Sequence, residues 1–407
     1  MKLPFWPSPQ GYRDIKFGLS RVYELLERLD NPHLKLPPTI HIAGTNGKGS
    51  TLAFLRSIFN ESGLRIHTYT SPHLVNFNER INLAGADISD EFLNEILREC
   101  KEAAEKDPAI PITFFEGTTV AAFLAFSRVE ADLLLLETGM GGRLDATNVL
   151  PEVLCSVITP ISFDHEEFLG NSLEKIAREK AGIIKKNSPL VVGKQSDEAL
   201  LVLKKTAQEV GAEIFYHLPL TTYPLSLLGS YQIENASLAI AAIKAQKKFL
   251  VSEEQIKKGL KNAFWPARLQ KISLKNLPKN FELYLDGSHN LQGATTVREF
   301  LKAQENKKIF VIFSMLKDKN CEGFLQEISG EVDELITLTI PDEPKSRSAS
   351  EISEIAKEIG IKSQIAEDFS DAFKKIKYDE PAIIIICGSL YLAGKFLENY
   401  LTRGEIL

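Results

Sequence analysis

The sequence predicts an α/β protein: a doubly wound, mostly parallel sheet carrying a phosphate loop, followed by a smaller, Rossmann-like α/β domain. Three observations predict it. Short β-branched or leucine-rich runs alternate with amphipathic helical stretches along the 407 residues, as a parallel sheet covered by helices on both faces requires. A glycine-rich turn joins the first of these runs to a helical segment. The alternation then resets near Trp265-Pro266-Ala267-Arg268. That reset sets domains of 1–268 and 269–407, the second of ordinary domain size.

In chain order, Thr39–Ala43, Arg65–Thr70, Asp132–Glu137, Val153–Thr159 and Leu190–Gly193 read as strands. They are near-continuous apolar runs rather than alternating ones, the mark of strands buried on both faces. Between them Leu52, Leu55 and Phe59 fall on one helical face, and Phe92, Ile96 and Glu99–Cys100 continue a second amphipathic pattern. After the reset, Phe281–Leu285, Lys308–Phe313, Glu334–Leu338 and Ala382–Cys387 read as strands. Helical stretches follow Asn290, Lys319, Ala349, Phe369 and Leu390.

Composition narrows the class. Lys and Arg number 48 against 54 Asp and Glu, a net charge of −6, which offers no basic footprint for nucleic acid or an anionic membrane surface. No apolar run approaches the roughly 18 residues that span a bilayer; the densest are Leu133–Leu136 and Ala382–Cys387. Prolines interrupt the N-terminus where a signal peptide would be continuous and apolar. The cysteines (Cys100, Cys155, Cys321, Cys387) are far apart with no Cys-x-x-Cys, poor material for a zinc site or a disulfide framework, and a cytoplasmic location is expected.

The sharpest local signal is His41-Ile-Ala-Gly44-Thr45-Asn46-Gly47-Lys48-Gly49-Ser50-Thr51. A buried strand enters a glycine-rich turn and leaves it as a helix ending near Gly63. Glycines let successive N–H groups point into one concavity that holds phosphate oxygens. The helix N-terminus adds partial positive charge and Lys48 a full one. Ser50 or Thr51 offers a hydroxyl near a phosphate-bound Mg²⁺. The spacing departs from G-x-x-x-x-G-K-[ST], since two residues separate Gly44 from Gly47 and Gly49 follows Lys48.

Ligands of a doubly wound sheet bind beyond the carboxyl ends of its strands. Three residues occupy such ends: Ser71 after the second run, Glu137 ending the leucine run, and His165 beyond the fourth. A hydroxyl, a carboxylate and an imidazole can complete a Mg²⁺ shell together with phosphate oxygens, although imidazole is an unusual ligand for so hard an ion. Singly, Ser71 would also serve as a turn cap before Pro72, and His165 as a structural histidine. Glu137 is harder to dismiss, because a near-buried carboxylate requires a partner.

Lys16-Phe-Gly-Leu19, His41–Ser50, Thr70-Ser-Pro-His-Leu74, Phe77-Asn-Glu-Arg-Ile81, Gly141-Gly-Arg-Leu-Asp-Ala-Thr-Asn148, Asp164-His165, Glu179-Lys-Ala-Gly-Ile-Ile-Lys185, Asp286-Gly-Ser-His-Asn290 and Cys387-Gly-Ser-Leu-Tyr391 together resemble the folylpolyglutamate synthase and dihydrofolate synthase family, within the Mur ligase superfamily. The likeness runs the length of the chain. It implies a Mur-ligase-like ATPase domain and a C-terminal glutamate-ligase domain. Gly44 arrives too early for the UDP-sugar domain of the peptidoglycan branch.

The resemblance implies the following roles. Gly44, Thr45, Asn46, Gly47, Lys48, Gly49 and Ser50 hold ATP phosphates. Ser71, Glu137 and His165 ligate a first Mg²⁺. Lys180, carbamylated, supplies an anionic oxygen to a second; by itself it would read as one more solvated helix lysine. Asn235, in Tyr231-Gln-Ile-Glu-Asn235, contacts adenine. Arg268 of Trp265-Pro-Ala-Arg268 reaches ATP phosphate, and Asp286 and His289 meet the ribose and the terminal phosphate. Asp145 contacts the pterin-bearing substrate, its plain alternative being a loop cap. Departures are Ala267 for the family's usual glycine, Tyr231 where histidine is frequent, Ser288 for alanine, and no aromatic after Glu116.

The implied reaction is ATP-dependent ligation. A carboxylate resists amine attack until transfer of the γ-phosphoryl makes it an acyl phosphate; glutamate then displaces phosphate. Lys48, Arg268 and metal neutralise charge, and domain closure excludes water. Dihydropteroate, tetrahydrofolate forms, L-glutamate and ATP with Mg²⁺ are the expected ligands, both activities are expected, and family analogy implies a monomer. Two other readings stand beside it: a Mur-type amide ligase with a different carboxylate acceptor, and a non-catalytic nucleotide-dependent switch.

Overall fold

The computed structural model describes residues 4–7, 18–217, 223–304, 307–402 and 404–406. Lys16 and Phe17 of the Lys16–Leu19 string, and most of the proline-interrupted N-terminus, lie outside them. The chain divides into two compact units, one of residues 2–226 with 232–264, the other of 227–231 with 265–407.

The larger unit holds an eight-stranded sheet of β1 (Thr39–Ala43), β2 (Ile66–Tyr69), β3 (Ile81–Leu83), β4 (Ala86–Asp87), β5 (Leu133–Glu137), β6 (Cys155–Ile158), β7 (Leu190–Val192) and β8 (Ile214–Tyr216). Their order is β4-β3-β2-β5-β1-β6-β7-β8. From β2 to β8 every pair is parallel; β3 and β4 add an antiparallel edge. The chain leaves β1 toward β2 on one side and runs from β6 to β8 on the other, so the winding reverses at β1 and opens a crevice at its carboxyl end.

Burial explains why the central strands are legible as apolar runs. Leu134 and Leu136 of β5 enter one core with the helices Ser20–Arg28, Asp90–Glu105 and Phe114–Arg128. Leu133 and Leu135, on the opposite face, are equally buried. The helices Leu173–Ala181 and Asp197–Val210 pack with Ala43, Ile158, Leu190 and Val192 in a further core.

The smaller unit has six strands: β9 (Gln270–Ile272), β10 (Phe281–Leu285), β11 (Lys308–Phe313), β12 (Glu334–Thr337), β13 (Ser363–Ile365) and β14 (Ala382–Cys387). The order is β13-β12-β11-β14-β10-β9, with β9 the antiparallel member. Helices follow at Leu291–Lys302, Cys321–Ile328, Ala349–Ile359, Phe369–Lys375 and Leu390–Thr402, beginning within two residues of the positions read from sequence.

The nine strands read from sequence are present, several a residue or two shorter than expected. β3, β4, β8, β9 and β13 were not anticipated: each spans two or three residues and lies at or beside a sheet edge, where one-sided burial leaves little apolar signal. Among the described residues no helix is long and apolar enough to cross a membrane.

Candidate functional site

β1 stops at Ala43 because Gly44 takes φ 150° and turns the chain away from the ladder. A side chain there would overlap Thr159 Oγ1, so the backbone can lie close to the strand after β6 only as glycine. Gly47, at φ 90°, restarts the chain as the helix Lys48–Glu61. Thr45 closes the turn: its N donates to Pro160 O at 3.0 Å, and its Oγ1 donates to Ser162 O and accepts from Ser162 N, both at 3.0 Å. The end of β1, the segment after β6 and a helix therefore hold a short loop whose N–H groups precede a helix N-terminus, the geometry that binds phosphate.

Two lysines converge on this loop. Lys48 Nζ donates to Gly44 O and Thr45 O, each at 3.3 Å, and Lys180 Nζ donates to the same Gly44 O at 2.8 Å. Lys180 is buried near the end of the helix Leu173–Ala181. Burial first, and then the Lys48 ammonium, push it down to about 7, against the opposing pull of Asp164 and Asp145. Two unit charges about 4–6 Å apart repel by roughly 3–4 kcal/mol at an effective dielectric of 20. An anion shared between them, or conversion of one to an anion, removes that cost.

Glu137 ends β5 with its carboxylate almost wholly buried. Lys48 Nζ lies 3.9 Å from Oε1, and Ser71 N donates to Oε2 at 3.3 Å. Ser71, Glu137 and Lys48 are thus together. His165 stands beyond β6 at a left-handed backbone (φ 53°), opening the short helix Glu166–Leu169, with Nε2 3.8 Å from Asp164 Oδ2. Among the described residues no three His, Cys, Asp or Glu side chains form a metal-holding group by themselves. Glu137 and Ser71 bring a carboxylate and a hydroxyl-bearing residue together beside Lys48, and oxygen donors of this kind suit a hard divalent cation.

The Thr138–Asn148 loop bridges Glu137 and Lys180. Arg143 N donates to Glu179 O at 2.7 Å and its guanidinium to Glu179 Oε1, while Asn148 Nδ2 donates to Arg143 O and Gly182 O. Gly142 must be glycine here, since a Cβ would sit 2.8 Å from Glu179 O. Asp145 is buried within the loop and accepts from Met140 N at 2.8 Å, Thr147 N at 3.0 Å and Thr147 Oγ1 at 2.6 Å. That is the loop-cap geometry; burial raises its carboxyl, which these donors oppose.

Asn235 lies beside the phosphate loop: a Cβ on Gly47 would overlap its Oδ1. Its Nδ2 donates to Gln232 Oε1 at 2.9 Å, and Gln232 Nε2 donates to Ser50 Oγ at 3.3 Å. The Ser50 hydroxyl is thus engaged from the helix Tyr231–Ala245. Gln232, Asp164 and Thr147 acquire roles that sequence reasoning did not give them, although all three stand within the quoted strings.

In the smaller unit, Arg268, Asp286 and His289 gather near the end of β10. Asp286 is buried and accepts from Leu269 N and Ser288 N, both at 2.8 Å. His289 Nδ1 donates to Gly287 O at 2.9 Å. Arg268 Nη1 donates to Ala267 O at 2.8 Å, and Ala267 itself holds φ 55°.

Comparison with known proteins follows this division. Residues 42–218 match the Mur ligase middle domain family, and residues 270–399 the family described as Dihydrofolate synthetase, C-terminal domain. The chain is 36% identical over 411 residues to the dihydrofolate synthase/folylpolyglutamate synthase of Bacillus subtilis, covering 93% of each. Its identity to the Escherichia coli protein of that name is 31%, over 95% of this chain and 92% of the other. Escherichia coli FolC in complex with DHPP and ADP superposes with a TM-score of 0.86 at 29% identity, covering 96% of this chain and 94% of that one. The Yersinia pestis bifunctional enzyme complexed with AMPPNP and a Mn ion gives 0.84 at 29% identity, over 96% and 95%.

Proposed function

This chain belongs to the dihydrofolate synthase/folylpolyglutamate synthase family, and on that premise we propose that it joins L-glutamate to dihydropteroate and to folyl-glutamates, using ATP and passing through an acyl phosphate. It is an ATP-dependent ligase of the Mur type. The observation that carries the reading is the convergence of Lys48 and Lys180 on one loop carbonyl beside Glu137 and Ser71.

The Gly44–Ser50 loop and Lys48 orient the triphosphate, and Asn235 borders the same loop toward the base. Ser71, Glu137 and His165 hold a first Mg²⁺, and Lys180 contributes to a second once carbamylated. The cation, when bound, neutralises the charge of the phosphates and of the carboxylate that approaches them. Arg268, Asp286 and His289 serve the phosphates and ribose from the smaller unit, and Asp145 borders the acceptor. Their assignment rests on the family motifs. Four buried, unbridged cysteines support a reducing, cytoplasmic setting, and we take the enzyme to act as a monomer.

Lys180 is suited to its modification. A nitrogen brought down to about 7 is largely a neutral amine at pH 8, able to attack the carbon of CO2. The N–C bond forms, one C=O pair moves to oxygen, and the proton leaves to solvent. The product is a carbamate anion beside the Lys48 ammonium, an attractive pair in place of two amines that repel whenever both are protonated. We expect Lys180→Ala, or protein held in CO2-free buffer, to lose at least about tenfold in turnover, measured as phosphate release, with bicarbonate restoring only the wild type.

The reading itself is tested by phosphate release from ATP with glutamate, in the presence and absence of dihydropteroate or tetrahydrofolate. Release that requires either pterin supports it. Release that ignores both but answers to another acid assigns a different acceptor, and release indifferent to acid and amine removes the ligase.

A further inference from the structure

We infer that His41 and Thr147 are positioning residues for the reaction: a buried relay from β1 through His41 and Thr147 holds Asp145, and with it the loop that ties Glu137 to the Lys180 helix. The inference rests on the ligase reading above.

His41 and Thr147 are wholly buried, and Asp145 nearly so. His41 Nε2 lies 2.9 Å from Thr147 Oγ1. The threonine hydroxyl owns one hydrogen, and it goes to Asp145 Oδ1 at 2.6 Å; toward His41 the oxygen can only accept. Nε2 therefore carries a proton, and a second one on the buried, unpartnered Nδ1 would be an orphaned donor, so the imidazole is the neutral Nε2–H tautomer.

The far end of the relay bears on the chemistry. Asp145 Oδ2 accepts from Met140 N at 2.8 Å, three residues after Glu137, and Arg143 N, two residues before Asp145, donates to Glu179 O at 2.7 Å, next to Lys180. Movement of the Asp145 carboxylate displaces the backbone on both sides. Stability alone does not call for this arrangement, because apolar side chains of the same shape would fill the space at no net cost. A satisfied polar chain instead specifies one geometry.

The test compares full-length wild type, Thr147→Val, which keeps the shape and loses the hydroxyl, and Thr147→Ser, which keeps the hydroxyl. Dihydropteroate-dependent phosphate release is measured with the unfolding midpoint of each. Thr147→Val is expected to lower kcat about 10–100-fold, the usual effect of disturbing a group behind a metal ligand, with KM for ATP within about threefold. Thr147→Ser should stay within about threefold of wild type. Equal kcat per folded molecule for Val and Ser overturns the proposal, whatever the midpoints do. Should Thr147→Val not fold, His41→Gln, which can return an N–H to the Nε2 position, against His41→Leu makes the same comparison. Ring-¹⁵N NMR reads the relay separately: a neutral Nε2–H His41 between pH 6 and 8 supports it, and an Nδ1–H tautomer overturns it. A wild type without pterin-dependent release overturns the ligase reading itself, recognisable because all variants are then alike while the ¹⁵N signature persists, and the positioning proposal falls with it.

Discussion

At the scale of single residues, burial decides which titratable groups this protein can tolerate charged. His41 and His73 are both driven down to about 3, chiefly by burial, with Lys185 adding to the effect at His41 and Arg80 at His73. Arg80 Nε donates to His73 Nδ1 at 2.8 Å, so protonating that nitrogen would also destroy a hydrogen bond. Unfolded, each histidine binds a proton near pH 6.5. The unfolded state therefore holds more protons between pH 6.5 and 3. Stability is fully present above that window and falls with acid by about 1.4 kcal/mol per pH unit for each histidine. Urea midpoints measured from pH 7 to 4 should decline accordingly. His41→Gln should flatten that decline, whereas a curve unchanged by the substitution would remove His41 from the account.

The elements show how a loop acquires its conformation from its neighbours. Gly44 lets the phosphate loop lie against Thr159, and the added methyl of Gly44→Ala has no room beside Thr159 Oγ1. The loop must shift, so ADP affinity by calorimetry is expected to fall at least about tenfold while most of the fold survives, because the strand and helix on either side are independently packed. Ala267 presents the opposite case. It holds φ 55° immediately before Arg268, a left-handed conformation costing a non-glycine residue about 1–2 kcal/mol, from which glycine's extra unfolded-state entropy subtracts roughly 0.5–1. Ala267→Gly should therefore raise the unfolding free energy by up to about 1.5 kcal/mol in denaturant titrations. The sequence shows only an alanine here; the backbone angle shows its cost.

Over the whole molecule, the units are not simple consecutive segments. The smaller one recruits residues 227–231, and Tyr231 packs against its core beside Leu269. Ser230 Oγ donates to Glu299 Oε2 at 2.5 Å, and Gly287 N donates to Ala267 O at 2.9 Å. A fragment of residues 269–407 lacks all three partners. It is expected to melt well below the intact protein and with a broad transition by circular dichroism, and extending it back to Trp265 should recover only part of the difference. A fragment 269–407 as stable and cooperative as the whole would show that the recruited segment contributes nothing.

The amino-acid order alone determined the long central strands, the phosphate loop and the residues at the strand ends. Strands buried on both faces must be continuously apolar, and a phosphate loop must be rich in glycine, so both requirements are written locally. Several matters were decided only when the chain folded. Lys180 reads as one more helix lysine until a 2.8 Å contact with Gly44 O and burial set its chemistry. Asp145 reads as a substrate contact, and only the fold shows that its oxygens also accept from its own loop. His41 reads as part of a motif until Thr147, 106 residues away, fixes its tautomer. Such roles depend on distances between residues remote in sequence, and no local pattern of side chains encodes a distance.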